Sequence, residues 1–220
     1  MTPDRPSDAL TDDLVTAAVA GDGDALGTVY RILAPKVLGY LTAHGAEDPE
    51  GLTNEVFLHV LRRMGGLVGG SAGLRTFVFS VAHARLVDDI RRRSRRPAEH
   101  PYQPELDERQ TDSAEHAVLS GADAHTLDAM LGLLNADQRS VITLRVLGDL
   151  SVEQTAEILG KSAGAVKQLQ RRGLLALGAA VLSQFAWVIV LIVALRIMGV
   201  PESVLSPAEV FAVYSLVMVV

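Results

Sequence analysis

SVEQTAEILGKSAGAVKQLQRR, Ser151 to Arg172, is the stretch whose reading decides the fold. Ser151 is placed to cap a helix, and Gln154 three residues later completes a capping box. Ala156 is small where two helices must approach closely. Gly160 falls at a turn whose left-handed backbone would strain any residue carrying a Cβ. Ser162 can cap a second helix, with Val166 and Leu169 facing back onto Ile158 and Leu159. At about 100° per residue, Lys167, Gln168 and Arg171 then fall on the outward face. The stretch reads as a helix-turn-helix, whose second helix enters the DNA major groove. An ordinary helical hairpin is the competing reading. Lys161 stands out, since such turns usually hold an apolar residue there.

Outward from this motif the apolar spacing is helical nearly everywhere and strand signals are almost absent. Upstream, Asp137 to Leu147 and Asp123 to Leu134 read as two helices. Near the N-terminus a short helix covers Asp13 to Ala20, and Asp24 caps a longer one that Pro35 should kink or split. A third helix runs from about Glu50 to Arg63, with Leu52, Val56, Phe57 and Val60 inward and Asn54, Glu55, His59 and Arg62 outward. GGLVGGSAG, Gly65 to Gly73, reads as a loop too glycine-rich for a helix. A fourth helix follows from about Leu74 to Arg93, with His83, Arg85, Asp88, Asp89 and Arg92 partly free. Pro97 to Ser120 is acidic and proline-bearing and reads as a linker.

The net charge of −6 argues against nucleic acid only as an average, because the charge is segregated. Arg91, Arg92, Arg93, Arg95 and Arg96 form one basic block. Glu99, Glu105, Asp107, Glu108, Asp112 and Glu115 follow it against Arg109 alone. Such a block can neutralise several phosphates, giving salt-dependent affinity that is blind to sequence; a solvated helix end is the plainer alternative. Aromatic residues make up 5% of the chain, so stacking on many exposed bases is not the main mode. With no cysteine, disulfides and thiolate chemistry are excluded and a reducing cytosol fits. The N-terminus lacks a signal-peptide core. There is no P-loop, no GxGxxG after a strand and no histidine pair at metal spacing, so neither catalysis nor a cofactor is implied. His44, His59, His83, His100, His116 and His125 are scattered.

Four stretches in order carry a family resemblance: VYRILAPKVLGYL (Val29–Leu41), GLTNEVFLHVL (Gly51–Leu61), LRTFVFSVAHARLVDDIRRRSRRP (Leu74–Pro97) and LLNADQRSVITLRVLGDLSVEQTAEILGKSAGAVKQLQRR (Leu133–Arg172). Together they resemble the extracytoplasmic-function group of bacterial RNA polymerase sigma factors, over about residues 12–181. The resemblance implies an all-α protein of two helical modules and no enzymatic activity of its own. Its divisions would be a polar segment with a short helix (1–23), a polymerase- and minus-ten-binding module (24–97), an acidic linker (98–122), a minus-thirty-five-binding helix-turn-helix module (123–181) and an apolar tail (182–220). It assigns Asn54, Glu55, Phe57 and His59 to docking on core RNA polymerase. The glycine-rich loop and fourth helix would melt the minus-ten element and capture an unstacked base. Promoter DNA would meet Ser162, Lys167, Gln168, Arg171 and Arg172 on the second module, and Arg85, Arg91, Arg92, Arg93, Arg95 and Arg96 on the first. An anti-sigma factor is a further possible partner. The chain departs from the family at Gly51, usually acidic, at Asn54, usually glutamine, and at Phe77, commonly tryptophan.

The tail does not fit that pattern. Gly173 to Leu195 carries no charge and is long enough for a membrane helix, with Arg171 and Arg172 before it on the cytoplasmic side. A segment starting at SPAE, Ser206 to Glu209, runs to Val220 and reaches only about 21 Å, short of a bilayer core of about 30 Å. Residues 185–220 resemble a stretch of the flippase-like membrane family related to lysylphosphatidylglycerol synthases. The tail therefore reads as a membrane anchor, an inhibitory segment or the remnant of a fusion. Two further readings stay open for the whole chain, a membrane-tethered helix-turn-helix regulator and a membrane-protein fragment with a sigma-like head.

Overall fold

The computed structural model describes residues 9–95 and 129–197, and every α-helical or 3-10 element among them is helical, with no strand. In chain order the helices are α1 (Asp12–Val19), α2 (Gly23–Ala43), α3 (Pro49–Arg63), α4 (Gly70–Arg95), α5 (Ala136–Val146), α6 (Val152–Leu159) and α7 (Ala163–Ile197). A single 3-10 turn, Met64–Gly66, follows α3. Residues 129–132 are also helical, while 123–128 of the helix expected there lie outside the described residues. The chain divides into two compact units, one of residues 1–100 with 137–170, the other of 101–136 with 171–220.

Short polar side chains start the N-terminal helices, and a correction falls on α2, which Asp22 caps while Asp24, expected as the cap, lies in its first turn. Thr11 accepts from the Leu14 N–H, Asp22 from the N–H groups of Asp24 and Ala25, and Asp48 from that of Gly51. Each satisfies donors that the first helical turn leaves open. Gly51 has a local reason here: a Cβ would run into the capping carboxylate of Asp48. α2 continues through Pro35 as one element, against the expectation of a split. Leu33, Ala34 and Val37 are buried on either side of the proline, so packing holds both halves in one line.

α1 to α4 enclose the main core, with Val29, Val37, Tyr40, Leu41, Val56, Val60, Leu74, Val78 and Phe79 nearly or fully shielded from solvent. The glycine segment is corrected by the structure. Gly70 to Gly73 is helix, because Asp12 of α1 caps α4 by accepting from the Ser71 N–H at 2.8 Å. That bond holds the Asp12 carboxyl below its usual range. Gly73 lies so close to the Val68 carbonyl that a Cβ would collide with it. Asp89 is also corrected: it is 2% exposed, not partly free. Ile90 turns outward instead, at 44%.

The helix-turn-helix forms as read. Ser151 and Gln154 make both halves of the capping box. Gly160 closes α6 at φ 61°, and Ser162 Oγ accepts from the Ala165 N–H at 3.2 Å. Its own core is small: Val141, Ala156 and Val166 are buried, with Val152, Leu159 and Leu169 against them. Ile158 is a correction, since it packs against the main core and not against Val166 and Leu169. Lys161 needs no apolar replacement in the turn because its ammonium reaches Asp137 Oδ2 at 2.9 Å. α7 runs on unbroken to Ile197. Among the described residues no helix is long and apolar enough to cross a membrane. Most of the tail, 198–220 and the side chains from 183 onward, lies outside what is described.

Candidate nucleic-acid interface

The outward face of α7 is built by what its inward face must do. Val166 is fully buried and Leu169 half-buried, which turns Lys167 and Gln168 into solvent. Arg171 and Arg172, farther along the helix, are exposed as well. Ser162 is exposed, but its hydroxyl oxygen is engaged as the cap of α7. Glu153 of α6 is held below the ordinary carboxylate range, first by its own backbone N–H, then by Ser151, with smaller help from the charges of Lys167 and Arg145. These donors on a helix whose N-terminus is free of bulky residues are what a base-edge reader needs.

The arginine run at the end of α4 is less uniform than its sequence. Asp89 Oδ1 accepts from Arg92 at 3.0 Å and Oδ2 pairs with Arg93 at 3.1 Å. Burial alone would raise the Asp89 carboxyl. The Arg92 hydrogen bond, the Glu47 N–H and the two guanidinium charges outweigh it and leave it lowered. Arg91 and Arg95 are exposed and have no carboxylate partner among the described residues. Arg96 lies outside them. Among its described residues the block thus divides into two cations anchored on Asp89 and two exposed ones. Arg85 approaches Glu55 Oε2 at 3.9 Å, bringing together a residue assigned to DNA and one assigned to polymerase.

On α3, Asn54 and Glu55 are exposed and His59 half-buried, its ring 6.2 Å from that of Phe77. Phe57 is a correction: at 3% exposure it cannot meet a partner, and instead it packs edge-on under Tyr30 at 4.8 Å. Sequence reasoning missed Tyr30, Leu58 and Leu61, large side chains left 41%, 56% and 43% exposed beside Asn54. The signal was available, since Leu58 and Leu61 fall off the Leu52–Val56–Val60 stripe. An apolar strip with a polar edge is the usual make-up of a protein-binding surface.

Two histidines lie inside the same compact unit. His44 Nδ1 donates to the Tyr40 carbonyl at 2.8 Å, leaving Nε2 to accept from Ser140 Oγ at 3.2 Å. His83 Nδ1 shares a hydrogen bond with the Tyr40 hydroxyl at 2.9 Å. Burial lowers both histidines below their ordinary value and raises the Tyr40 hydroxyl, so all three are neutral.

A cleft of about 770 Å³ opens beside the glycine segment. Leu67, Val68, Gly73 and Phe77 line one side, and Gln154, Glu157 and Ile158 of α6 line the other.

Comparison with known proteins agrees with this architecture. Residues 124–177 match the family model described as Sigma-70, region 4. The ECF RNA polymerase sigma factor BldN of Streptomyces coelicolor is 36% identical over 164 residues, 73% of this chain and 61% of the relative, so the match spans less than two thirds of that protein. SigD of Mycobacterium bovis, an ECF RNA polymerase sigma factor, is 31% identical over 170 residues, 74% of this chain and 80% of its own. ShbA of Streptomyces griseus, also an ECF RNA polymerase sigma factor, is 31% identical, with 73% and 90% covered. The structure of CnrH in complex with the cytosolic domain of CnrY superposes with a TM-score of 0.56 at 17% identity, over 80% of this chain and 99% of that one, which speaks for the fold alone.

Proposed function

The chain belongs to the ECF RNA polymerase sigma factors, and from that premise we propose that its two helical modules divide promoter recognition between them. The module of residues 24–97 docks on core RNA polymerase through α3 and opens the minus-ten element through α4 and the glycine segment. The module of residues 123–181 reads the minus-thirty-five element through Lys167, Gln168 and Arg171. The catalytic step belongs to the polymerase, beside which this subunit acts in the cytoplasm. Family membership brings in an anti-sigma factor as a further partner.

The observation that carries the reading is the exposed cationic face of α7, set on a correctly capped helix-turn-helix. Arg91 and Arg95 supply a second, sequence-blind grip on phosphate. The apolar strip of Tyr30, Leu58 and Leu61 gives polymerase a surface, with Glu55 at its rim.

Run-off transcription with core polymerase and the full chain tests this directly. Initiation from specific genomic promoters that depends on the chain is the expected result. Duplex binding without any initiation would leave a helix-turn-helix regulator and end the sigma reading. Glu55→Lys should weaken the affinity for core polymerase while the circular-dichroism melt stays unchanged, since Glu55 is exposed and its ion pair with Arg85 is long. Unchanged polymerase binding would place the docking face elsewhere.

A further inference from the structure

The last turn of α4 carries a hydroxyl that promoter binding does not use. Ser94 is exposed, and its Oγ donates to the Arg91 carbonyl at 2.9 Å, one of the carbonyls a final helical turn leaves without an intrahelical donor. It stands inside RRRSRRP, Arg91 to Pro97, with three arginines before it and two after. No other serine or threonine of the chain has more than one lysine or arginine among the three residues that precede it. The cations around it are not equivalent. Arg92 and Arg93 are held by the buried Asp89 carboxylate, at 3.0 and 3.1 Å. Arg91, one turn back on the same face as Ser94, and Arg95 beside it are exposed.

This end of the helix can be handed to another protein at little cost. No residue from Ile90 to Arg95 is buried, so drawing the turn into a peptide groove uncovers no core. Carboxylates lining such a groove would replace Asp89 as partners of Arg92 and Arg93 and would take up Arg91 and Arg95 as well. Pro97 has no N–H to offer a further helical turn, so nothing in the sequence beyond α4 braces the segment as helix. An exposed hydroxyl behind three arginines is what a protein kinase with an acidic groove recognises.

Resting on the sigma-factor reading, we propose that Ser94 is a phosphorylation site for an ATP-dependent serine kinase with an acidic peptide groove, and that its phosphate cancels the sequence-blind grip of the arginine run on DNA. Ser94 Oγ attacks the γ-phosphorus of ATP. The Oγ–P bond forms as the bond from that phosphorus to the bridging oxygen breaks, ADP leaves, and the hydroxyl proton passes to a carboxylate of the kinase. Phosphoserine carries about 1.5 to 2 negative charges at pH 7. Arg91 and Arg95 pair with it, so the two exposed cations of the run are satisfied within the chain. The Arg91 carbonyl also loses its hydroxyl donor, and a dianion at a helix C-terminus opposes the helix dipole, so the last turn loosens. Polymerase docking is spared. Arg85, the α4 residue that meets Glu55, lies nine residues back, about 13 Å along the helix and beyond the screening length of about 10 Å. The modified chain therefore still binds polymerase but holds the promoter weakly.

The test incubates the full chain, as parent and as Ser94→Ala, with magnesium, ATP and a purified serine kinase selective for arginine before its target. Peptide mass spectrometry should find one phosphate, on Ser94, and none on the variant. A parent left unmodified, or a variant modified as fast as the parent, overturns the site. The same phosphopeptide should appear in chain recovered from its own cells across growth and stress, and its absence throughout overturns a role in the cell. With a random-sequence duplex at about 0.1 M salt, the phosphorylated parent should bind about tenfold more weakly than the unmodified one. The slope of log K against log salt should shrink by about 1.8, the share of two phosphate contacts. Kinase-treated Ser94→Ala should keep the parental affinity and slope. Equal binding with and without the phosphate overturns the switch, and so does a matching loss of affinity for core polymerase. Run-off transcription keeps the two readings apart. If the unmodified chain gives none, the sigma reading fails; if run-off is undiminished by phosphorylation, the switch alone fails.

Discussion

Single residues set the division between reading and gripping. Lys167 stands on an exposed face with a shape that can meet a base edge, whereas Arg91 and Arg95 extend, exposed, from a helix end with no carboxylate partner among the described residues. Lys167→Ala should therefore cost about 1–3 kcal/mol at a preferred site and little elsewhere. Replacing Arg91 and Arg95 by alanine should weaken binding to all sequences alike and flatten the salt dependence. Titrations of specific and scrambled duplexes across salt concentrations separate the two, and identical behaviour would refute the division. Asp89 decides how many cations the run offers. Asp89→Asn keeps an acceptor for the Glu47 N–H but releases Arg92 and Arg93 from a buried charge. Stability to urea should fall by about 1–3 kcal/mol, while the salt slope of non-specific DNA binding steepens. A variant with the parental midpoint and slope would make the pair incidental. Arg92 and Arg93 were legible as basic residues; that a carboxylate three and four residues back restrains them depends on its burial.

At the scale of elements, caps and close approaches decide where helices begin. α4 starts four residues earlier than its apolar pattern indicates, because the donors of its first turn find Asp12, a residue 59 positions away. Gly73→Ala puts a Cβ onto the Val68 carbonyl, so it should destabilise the fold by about 1–3 kcal/mol despite the better helix propensity of alanine. Thermal melts of the two proteins check this, and a gain in melting temperature would show that the turn at Val68 yields freely. By contrast, the caps of α6 were legible in full. Ser151, Gln154 and Gly160 act through neighbours three to nine residues apart, and local chemistry fixes their geometry wherever the motif packs.

For the whole molecule, Tyr40 and the two histidines tie α2 to α4 and to α5. His44 bridges Tyr40 to Ser140, facing Arg139 and His83, and His83 holds the Tyr40 hydroxyl. Both histidines titrate below their unfolded value, so the unfolded chain takes up protons first as the pH falls. Their contribution is complete above about pH 6.5 and is lost as the pH drops through the folded values. The melting temperature should decline from about pH 7 to about pH 5.5. His83→Gln should flatten that decline, and an unaltered slope would assign the acid sensitivity to other groups.

The sequence alone determined an all-helical chain, the capped helix-turn-helix with its outward Lys167 and Gln168, the inward stripe of α3 and the segregation of charge. Each of these follows from residue spacing, capping chemistry or formal charge, which act over a turn or two of chain. Only the tertiary structure decided that Phe57 packs under Tyr30, that Asp89 holds two arginines and that Asp12 starts α4. It also decided that Ile158 and Leu150 serve the main core while Gln154 bonds to Thr76. Those outcomes depend on which surfaces far apart in sequence are pressed together, and an amphipathic pattern states that a face is to be buried without stating against what.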